Sequence, residues 1–260
     1  MRLLLVFLSI FLISCSDNKS LKDSQSIASD SVRMLTIDSV STLTVYDLAG
    51  DWVNLKYLYS IQKTKSPKIS QNEGEFSFIT FRSDTAMFVY GFHEGIDMKV
   101  ITEKPNNFFC VDYDNDTIRI SVLNDTMIIA NKGIREKYIK YQMGLPNETF
   151  SSRLLNKEIF SGNYQVVDSP KQSISFSEDG IVKGFLDFNS YLVQDDYIDA
   201  GCQFDLLHLR KNPDDRFEYT WSFSKDTLMI YNLDCKSYDT DLDRCVETKK
   251  GKLLYKLIKK

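Results

Sequence analysis

The chain is poor in the residues that most catalytic chemistry requires. It has two histidines in 260 residues, and neither His93 nor His208 sits at a nucleophile or metal-ligand spacing. A Gly-rich phosphate loop, a Gly-x-Ser-x-Gly elbow and a His-Glu-x-x-His helix are all missing. The expectation is therefore a protein that is not an enzyme and carries no cofactor. His208, inside Leu206-Leu207-His208-Leu209, reads as a strand residue on the polar face. Charge of one sign is also scarce: 32 basic against 36 acidic residues give a net charge of −4, which argues against a nucleic-acid partner. Only five prolines are present, and helix-like apolar repeats are few. The one long apolar run, Leu3 to Ile13, is too short for a permanent span, which takes about 20 residues.

That run follows Met1-Arg2 and ends in Leu12-Ile13-Ser14-Cys15, an aliphatic-x-small-Cys box. These residues resemble the lipobox of bacterial lipoproteins. The resemblance implies a signal peptide over residues 1–14, cleavage before Cys15 and lipidation of Cys15, each buried methylene of the lipid contributing roughly 0.8 kcal/mol. A plain signal peptide with an incidental Cys is the alternative. Residues 15–45 then form a lipidated, flexible, disordered tether rich in Ser and Asp, polar from Ser16 to Thr44, with an end-to-end distance on the order of 30 Å. The expected address is the cell envelope, outer membrane by preference, with membrane contact through the N-terminal lipid and the leaflet left open.

Aromatics are abundant: 17 Phe, 14 Tyr and 2 Trp. With so little proline they favour strands. Period-2 alternation predicts eight strands over Gly50 to Ile61, Glu75 to Arg82, Thr85 to His93, Met98 to Glu103, Asn107 to Tyr113, Thr117 to Leu123, Thr126 to Asn131 and Arg135 to Gln142. Breaks fall at Asp/Asn/Gly clusters such as Asp114-Asn115-Asp116 and Asn124-Asp125, which is turn chemistry. After Pro146 a linker over 144–158 intervenes, with room for a helical turn or two over Ser151 to Lys157. Eight further strands are predicted over Gly162 to Asp168, Gln172 to Ser177, Ile181 to Leu186, Ser190 to Gln194, Cys202 to Arg210, Arg216 to Ser224, Thr227 to Leu233 and Gly251 to Ile258.

The two sets read as tandem copies. Gly50-Asp51-Trp52 returns as Gly162-Asn163-Tyr164, and Ser121 to Ile129 matches Ser222 to Ile230 at a constant shift of 101 residues. The expected fold is all-β, with two consecutive antiparallel barrels of eight strands, one over 46–143 and the other over 159–260. Closure of a meander removes its exposed edges.

The Gly-x-Trp start resembles that of the lipocalin-like superfamily of eight-stranded barrels. The resemblance implies that Trp52, and Tyr164 in its place in the second copy, plug one end of each barrel. It further implies a basic residue over the ring, for which Arg135, Lys249 and Lys252 are candidates. A β-sandwich with Trp52 as ordinary core is the alternative. A lipocalin-like barrel can hold one small ligand among inward aromatics, here along Phe76/Phe78, Phe88/Tyr90/Phe92 and Tyr219/Trp221/Phe223, or can be filled by those side chains. Two functions remain in view. One is a lipid-anchored binder of a small apolar ligand, and the other is a structural or accessory lipoprotein with filled barrels that docks an envelope protein.

Two acidic runs, Asp112-Tyr113-Asp114-Asn115-Asp116 and Asp239-Thr240-Asp241-Leu242-Asp243, have the one-three-five carboxylate spacing of calcium loops. Thr117 and Arg244 stand where such a loop needs Gly, and Leu123 and Lys250 where it needs Glu, so both read as solvated hairpin loops and no metal is expected. Of the cysteines other than Cys15, Cys235 and Cys245 bracket one polar loop and are predicted to pair, a closure worth roughly 2–3 kcal/mol. Cys110 and Cys202 read as buried thiols in strands.

Overall fold

A computed structural model describes residues 42–90, 94–123, 125–141, 150–197, 203–240 and 244–260. The lipobox with Cys15, the tether up to Ser41, His93, Cys202, Asp241 and Asp243 lie outside them. Ser41–Lys260 form one compact unit. Within it the described chain is antiparallel and mainly β, organised as two sheets. Among the described residues no helix is long and apolar enough to cross a membrane.

The first sheet has nine strands: β1 (Gly50–Asn54), β2 (Phe78–Arg82), β3 (Thr85–Tyr90), β4 (Glu94–Lys99), β5 (Ile101–Lys104), β6 (Asn107–Val111), β7 (Thr117–Leu123), β8 (Thr126–Asn131) and β9 (Ile134–Lys140). Their order is β4-β3-β2-β1-β9-β8-β7-β6-β5. The two outermost strands are consecutive in the chain and separated only by Val100, whose N–H donates to Asp84 O at 2.8 Å. One bent segment thus pairs with β3 on one side and β6 on the other, giving a nearly closed barrel. The sequence predicts one strand there; the bend at Val100 divides it.

A predicted strand over Gly50 to Ile61 is corrected by the structure. It ends at Asn54, and helix α1 (Leu55–Thr64) follows, then the short α2 (Pro67–Ser70). Leu55, Tyr57, Tyr59 and Ile61 alternate as a strand would, but Tyr57, Leu58 and Ile61 also make a helical stripe, and these three are the buried apolar residues of the helix. The Asn54 side chain decides between the two periods. Its Oδ1 accepts from Lys56 N–H at 2.8 Å and caps the helix.

The second sheet follows helix α3 (Phe150–Leu155) and a π-helical turn over Asn156–Phe160. It comprises β10 (Gly162–Val166), β11 (Ser169–Phe176), β12 (Val182–Lys183), β13 (Ser190–Val193), β14 (Leu207–Arg210), β15 (Phe217–Ser224), β16 (Thr227–Asp239) and β17 (Arg244–Lys259), ordered β12-β11-β10-β17-β16-β15-β14-β13. Its edges meet at a bridge between Ile181 and Ser190. Strand β12 is shorter than the predicted Ile181 to Leu186, because Gly184 and Leu186 turn into the left-handed region.

Each predicted hairpin turn between the 101-shifted segments is found. Leu123 pairs with Thr126 and Ser224 with Thr227, at the same register. In both sheets the first strand lies between the second and the last.

The inner face of the first sheet forms one apolar core with Trp52, Phe76, Phe88, Phe108 and Met127. Its outer face at Val53, Phe78 and Val89 belongs to another core, shared with α1 and the inner face of the second sheet. Helix α1 is therefore built by the first half of the chain and buried against the second. Trp221 Nε1 donates to Lys65 O at 3.1 Å, Lys68 N–H to Asp205 Oδ1 at 3.0 Å and Tyr141 OH to Glu158 Oε1 at 2.6 Å, which pins the two sheets together through α1, α2 and the segment before β10.

Candidate functional site: barrel ends, interiors and the disulfide ribbon

The two aromatic starts are built alike. Gly50 has φ +114° and Gly162 φ +144°. A Cβ at either would stand 3.3 Å from Lys140 Cε or 2.6 Å from Lys259 Cε, so glycine lets a last-strand lysine pass over the ring two residues on. Trp52 is opposite Lys140 and Tyr164 opposite Lys259. The ammonium groups lie 5.7 and 5.9 Å from the two ring centroids, within cation–π range. Each ring donates to the carbonyl four residues earlier: Trp52 Nε1 to Leu48 O and Tyr164 OH to Phe160 O, both at 2.8 Å. Each lysine donates to a carbonyl of the incoming segment, Lys140 to Asp47 O at 3.3 Å and Lys259 to Ser161 O at 2.7 Å. Burial pushes the Tyr164 hydroxyl up to about 12, so it donates at every physiological pH.

The sequence candidates for the covering base are corrected. Arg135 faces Ala130 and Lys249 faces Asp234, so neither reaches the rings, and Lys259 takes the position in the second sheet for which Lys249 and Lys252 were candidates. What selects Lys140 and Lys259 is register against the first strand, which a single sequence does not display. Tyr164 replaces Trp52 without loss of the motif because both rings carry a hydrogen-bond donor at the tip.

Twelve core side chains of the two sheets are fully buried. Phe76, Phe88, Cys110, Ile118, Met127 and Tyr138 of the first sheet are 0% exposed, as are Ile174, Val193, Leu207, Leu228, Ile230 and Leu257 of the second. A void able to admit water would expose the side chains around it, so none borders these residues. Of the aromatic pair Phe76/Phe78, Phe76 turns inward, 5.0 Å from Phe88 and 4.6 Å from Tyr90, while Phe78 packs outward against the shared core. Phe92 lies outside the described residues. At the far end of the second sheet Phe188 stands 5.4 Å from Phe217 and 6.1 Å from Tyr219, and Phe185 stands 4.4 Å from Tyr255. Both phenylalanines come from the loop after β12 and stopper that end. Burial pushes the Cys110 thiol up to about 12, which leaves it protonated and unreactive.

Above Phe76 the first sheet is closed by a polar layer. Glu136, 5% exposed, accepts from Asn54 Nδ2 at 2.7 Å, from Glu75 N–H at 2.9 Å and from Lys56 Nζ at 2.9 Å. Burial raises its carboxyl, but these three donors outweigh burial and hold it below the usual carboxylate range. Glu75 accepts from Asn131 Nδ2 at 2.6 Å, and burial lifts its carboxyl above that range. Nearby, the carboxylates of Asp112, Asp114 and Asp116 come within 4.8 Å of one another. Asp112 Oδ1 accepts from the N–H groups of Asp114 and Asp116 at 3.0 and 2.8 Å, and Lys132 pairs with Asp116 at 2.8 Å, an arrangement that shapes a hairpin turn.

His208 lies in β14 beside Gln194, Arg216 and Glu218, on the polar face as expected, yet it is buried at 0% exposure. Arg216 Nε donates to Nδ1 at 3.0 Å, and Nε2 lies 3.0 Å from Gln194 Oε1 and 3.1 Å from Arg216 Nη2. Burial first, then the Arg216 and Arg210 charges, depress its pKa to about 3.

Cys235 and Cys245 are joined, with Cα atoms 5.8 Å apart. They lie within β16 and β17, because these strands run past the sheet as a two-stranded ribbon; β15 accompanies β16 only as far as Asn232, and β10 meets β17 only from Leu257. Tyr238 and Val246 are exposed on it. Between ribbon and sheet lies a polar cleft of about 220 Å³, with Gln194, Arg216 and Glu218 on one wall and Cys245, Glu247 and Thr248 on the other.

Comparison with known proteins returned no matching family model, no matching curated protein and no matching solved structure, so the geometry above is the ground for any functional reading.

Proposed function

We propose that the chain is a lipid-anchored envelope lipoprotein, acylated at Cys15 and held at the outer membrane, whose two sheets form filled, lipocalin-like barrels and which acts by docking an envelope protein. The observation that carries this reading is the zero exposure of the inner faces, from Phe88 and Tyr138 in the first sheet to Leu207 and Ile230 in the second. An apolar ligand needs a volume among those side chains, and they occupy it themselves. In this reading the Lys-covered rings are structural plugs, and recognition falls to the outer surface. The ribbon is suited to it, since among the described residues β15 follows β16 only as far as Asn232 and leaves beyond it a strand edge beside which a partner strand can lie.

Native mass spectrometry of the full chain extracted from its own membrane tests the proposal. A mass equal to polypeptide plus N-terminal acyl chains, with a co-purifying protein lost when the ribbon residues Tyr238 and Val246 are changed to Asp, is the expected result. A reproducible small apolar adduct that survives extraction supports the enclosed-ligand function instead. An unacylated Cys15 overturns the anchor.

A further inference from the structure

Strand β17 has a long free side. It runs from Arg244 to Lys259, and away from β16 it meets β10 only over Leu257 to Lys259, with one further bond from Val167 N–H to Lys256 O at 2.9 Å. From there back to Arg244, no strand among the described residues accompanies it on that side. Strands in globular proteins average only about five or six residues, so an open edge of this length is a template on which a whole further strand can pair.

The charge of that edge is opposite to that of the chain. The whole chain carries −4, whereas Thr248 to Lys260 holds six lysines and no Asp or Glu. Lys259 lies over Tyr164, and Lys250 lies 4.4 Å from the ring centroid of Tyr231. Lys249, Lys252 and Lys256 are exposed and pair with no carboxylate among the described residues. Asp234 stands opposite Lys249, yet its carboxylate leans over Gly251, where a Cβ would meet it at 2.6 Å, and Glu247 is taken by Lys236 at 2.5 Å. Apolar groups are interleaved with the lysines: Val246 is 50%, Leu253 42% and Leu254 38% exposed. The two leucines stand together because Tyr231 faces Leu253 while Ile230 faces Tyr255, which makes Leu254 the extra residue of a bulge.

We propose that this edge takes an extended acidic segment of a partner protein, which adds to β17 as a further strand. The inference rests on the docking function and names what the docked partner presents. The backbone of the segment joins the ladder, its carboxylates meet Lys249, Lys252 and Lys256, and its apolar side chains meet Leu253 and Leu254. A second copy of the chain is the wrong occupant, because two antiparallel β17 edges would set lysine against lysine, and like charges directly opposite are destabilising. An anionic lipid would satisfy the lysines alone and make no use of the open backbone edge.

Titration of the full chain in non-ionic detergent micelles with a fluorescent peptide of alternating glutamate and valine, read by anisotropy, tests this. Two control peptides separate the contributions: one has lysine in place of glutamate, and the other is N-methylated at alternate residues, which keeps the carboxylates and removes the donors of the pairing edge. Saturable binding of the first peptide is expected, at least about tenfold tighter than either control, a difference of about 1.4 kcal/mol, and weakening as salt is added. Changing Lys249→Glu and Lys252→Glu together, both exposed positions, is expected to weaken it by a similar factor. No saturable binding, equal binding of either control, or unchanged binding by the double variant would overturn the proposal. So would a saturable response to glycerophosphate in a chain that ignores the peptide, which assigns the lysines to lipid headgroups, or a dimer in sedimentation that Leu254→Arg dissolves, which assigns the edge to a second copy. The titration needs no co-purified protein, so it decides the chemistry of the edge separately from the docking function. A protein that co-purifies equally with the parent and the double variant would leave docking in place and overturn the acidic strand.

Discussion

His208 is held neutral by its surroundings, and that has a consequence for acid stability. Its folded pKa of about 3 lies below the unfolded value of 6.5. Between those two values the unfolded chain binds a proton that the folded chain refuses, so stability is fully present above about pH 6.5 and falls as pH drops toward 3. The slope is at most about 1.4 kcal/mol per pH unit for one group. Denaturant melts from pH 7 to pH 4 should show His208→Gln losing less stability than the parent over that interval; parallel losses in both would contradict the assignment. Glu136 contributes in the same direction, because its carboxyl is held low and its stabilisation is lost as pH falls through that lowered value. Little of this was legible from residue types. His208 sits within an alternating strand pattern that places it correctly opposite the core face, yet the outer face is itself covered, by Gln194 and Arg216 from neighbouring elements.

At the scale of elements, α1 shows where periodicity ceases to be decisive. Leu55 to Ile61 satisfies both a two-residue and a 3.6-residue repeat, and a cap at Asn54 together with burial of Tyr57, Leu58 and Ile61 selects the helix. Hairpins with unambiguous turns were read to the residue: β7 and β8 keep the predicted limits Thr117–Leu123 and Thr126–Asn131. The cysteine pair was legible because its two members bracket a short polar stretch, although that stretch is ribbon and not a free loop. The helix makes a testable claim about energy. Ile61 is 0% exposed and Tyr59 is 66% exposed on the same helix. Ile61→Ala should lower unfolding free energy by about 2–5 kcal/mol, whereas Tyr59→Ala should change it by no more than about 0.5 kcal/mol, as measured by urea melts.

For the whole molecule, the tandem pattern is a sound guide to the two sheets but hides how they are joined. Repeats align strand with strand, and the segment between β1 and β2 has no counterpart in the second half, where only Val167 and Asp168 separate β10 from β11. That unmatched segment carries α1 and α2, and it supplies Tyr57, Leu58 and Ile61 to the core of the second sheet. The two sheets should accordingly unfold in one transition, with tryptophan fluorescence and far-ultraviolet circular dichroism giving coincident curves. Two separated transitions would show that the shared core is too weak to couple them.

The placement of α1 also bears on the order of assembly. A chain delivered from its N-terminus presents residues 50–140 first, so Val53, Phe78, Val89 and the residues of α1 are available before β10 to β17 emerge. The later half completes its core against those earlier residues, and Trp221 donates to the carbonyl of Lys65. Reversing the order of the halves would leave every strand pairing within each sheet possible and present those residues last.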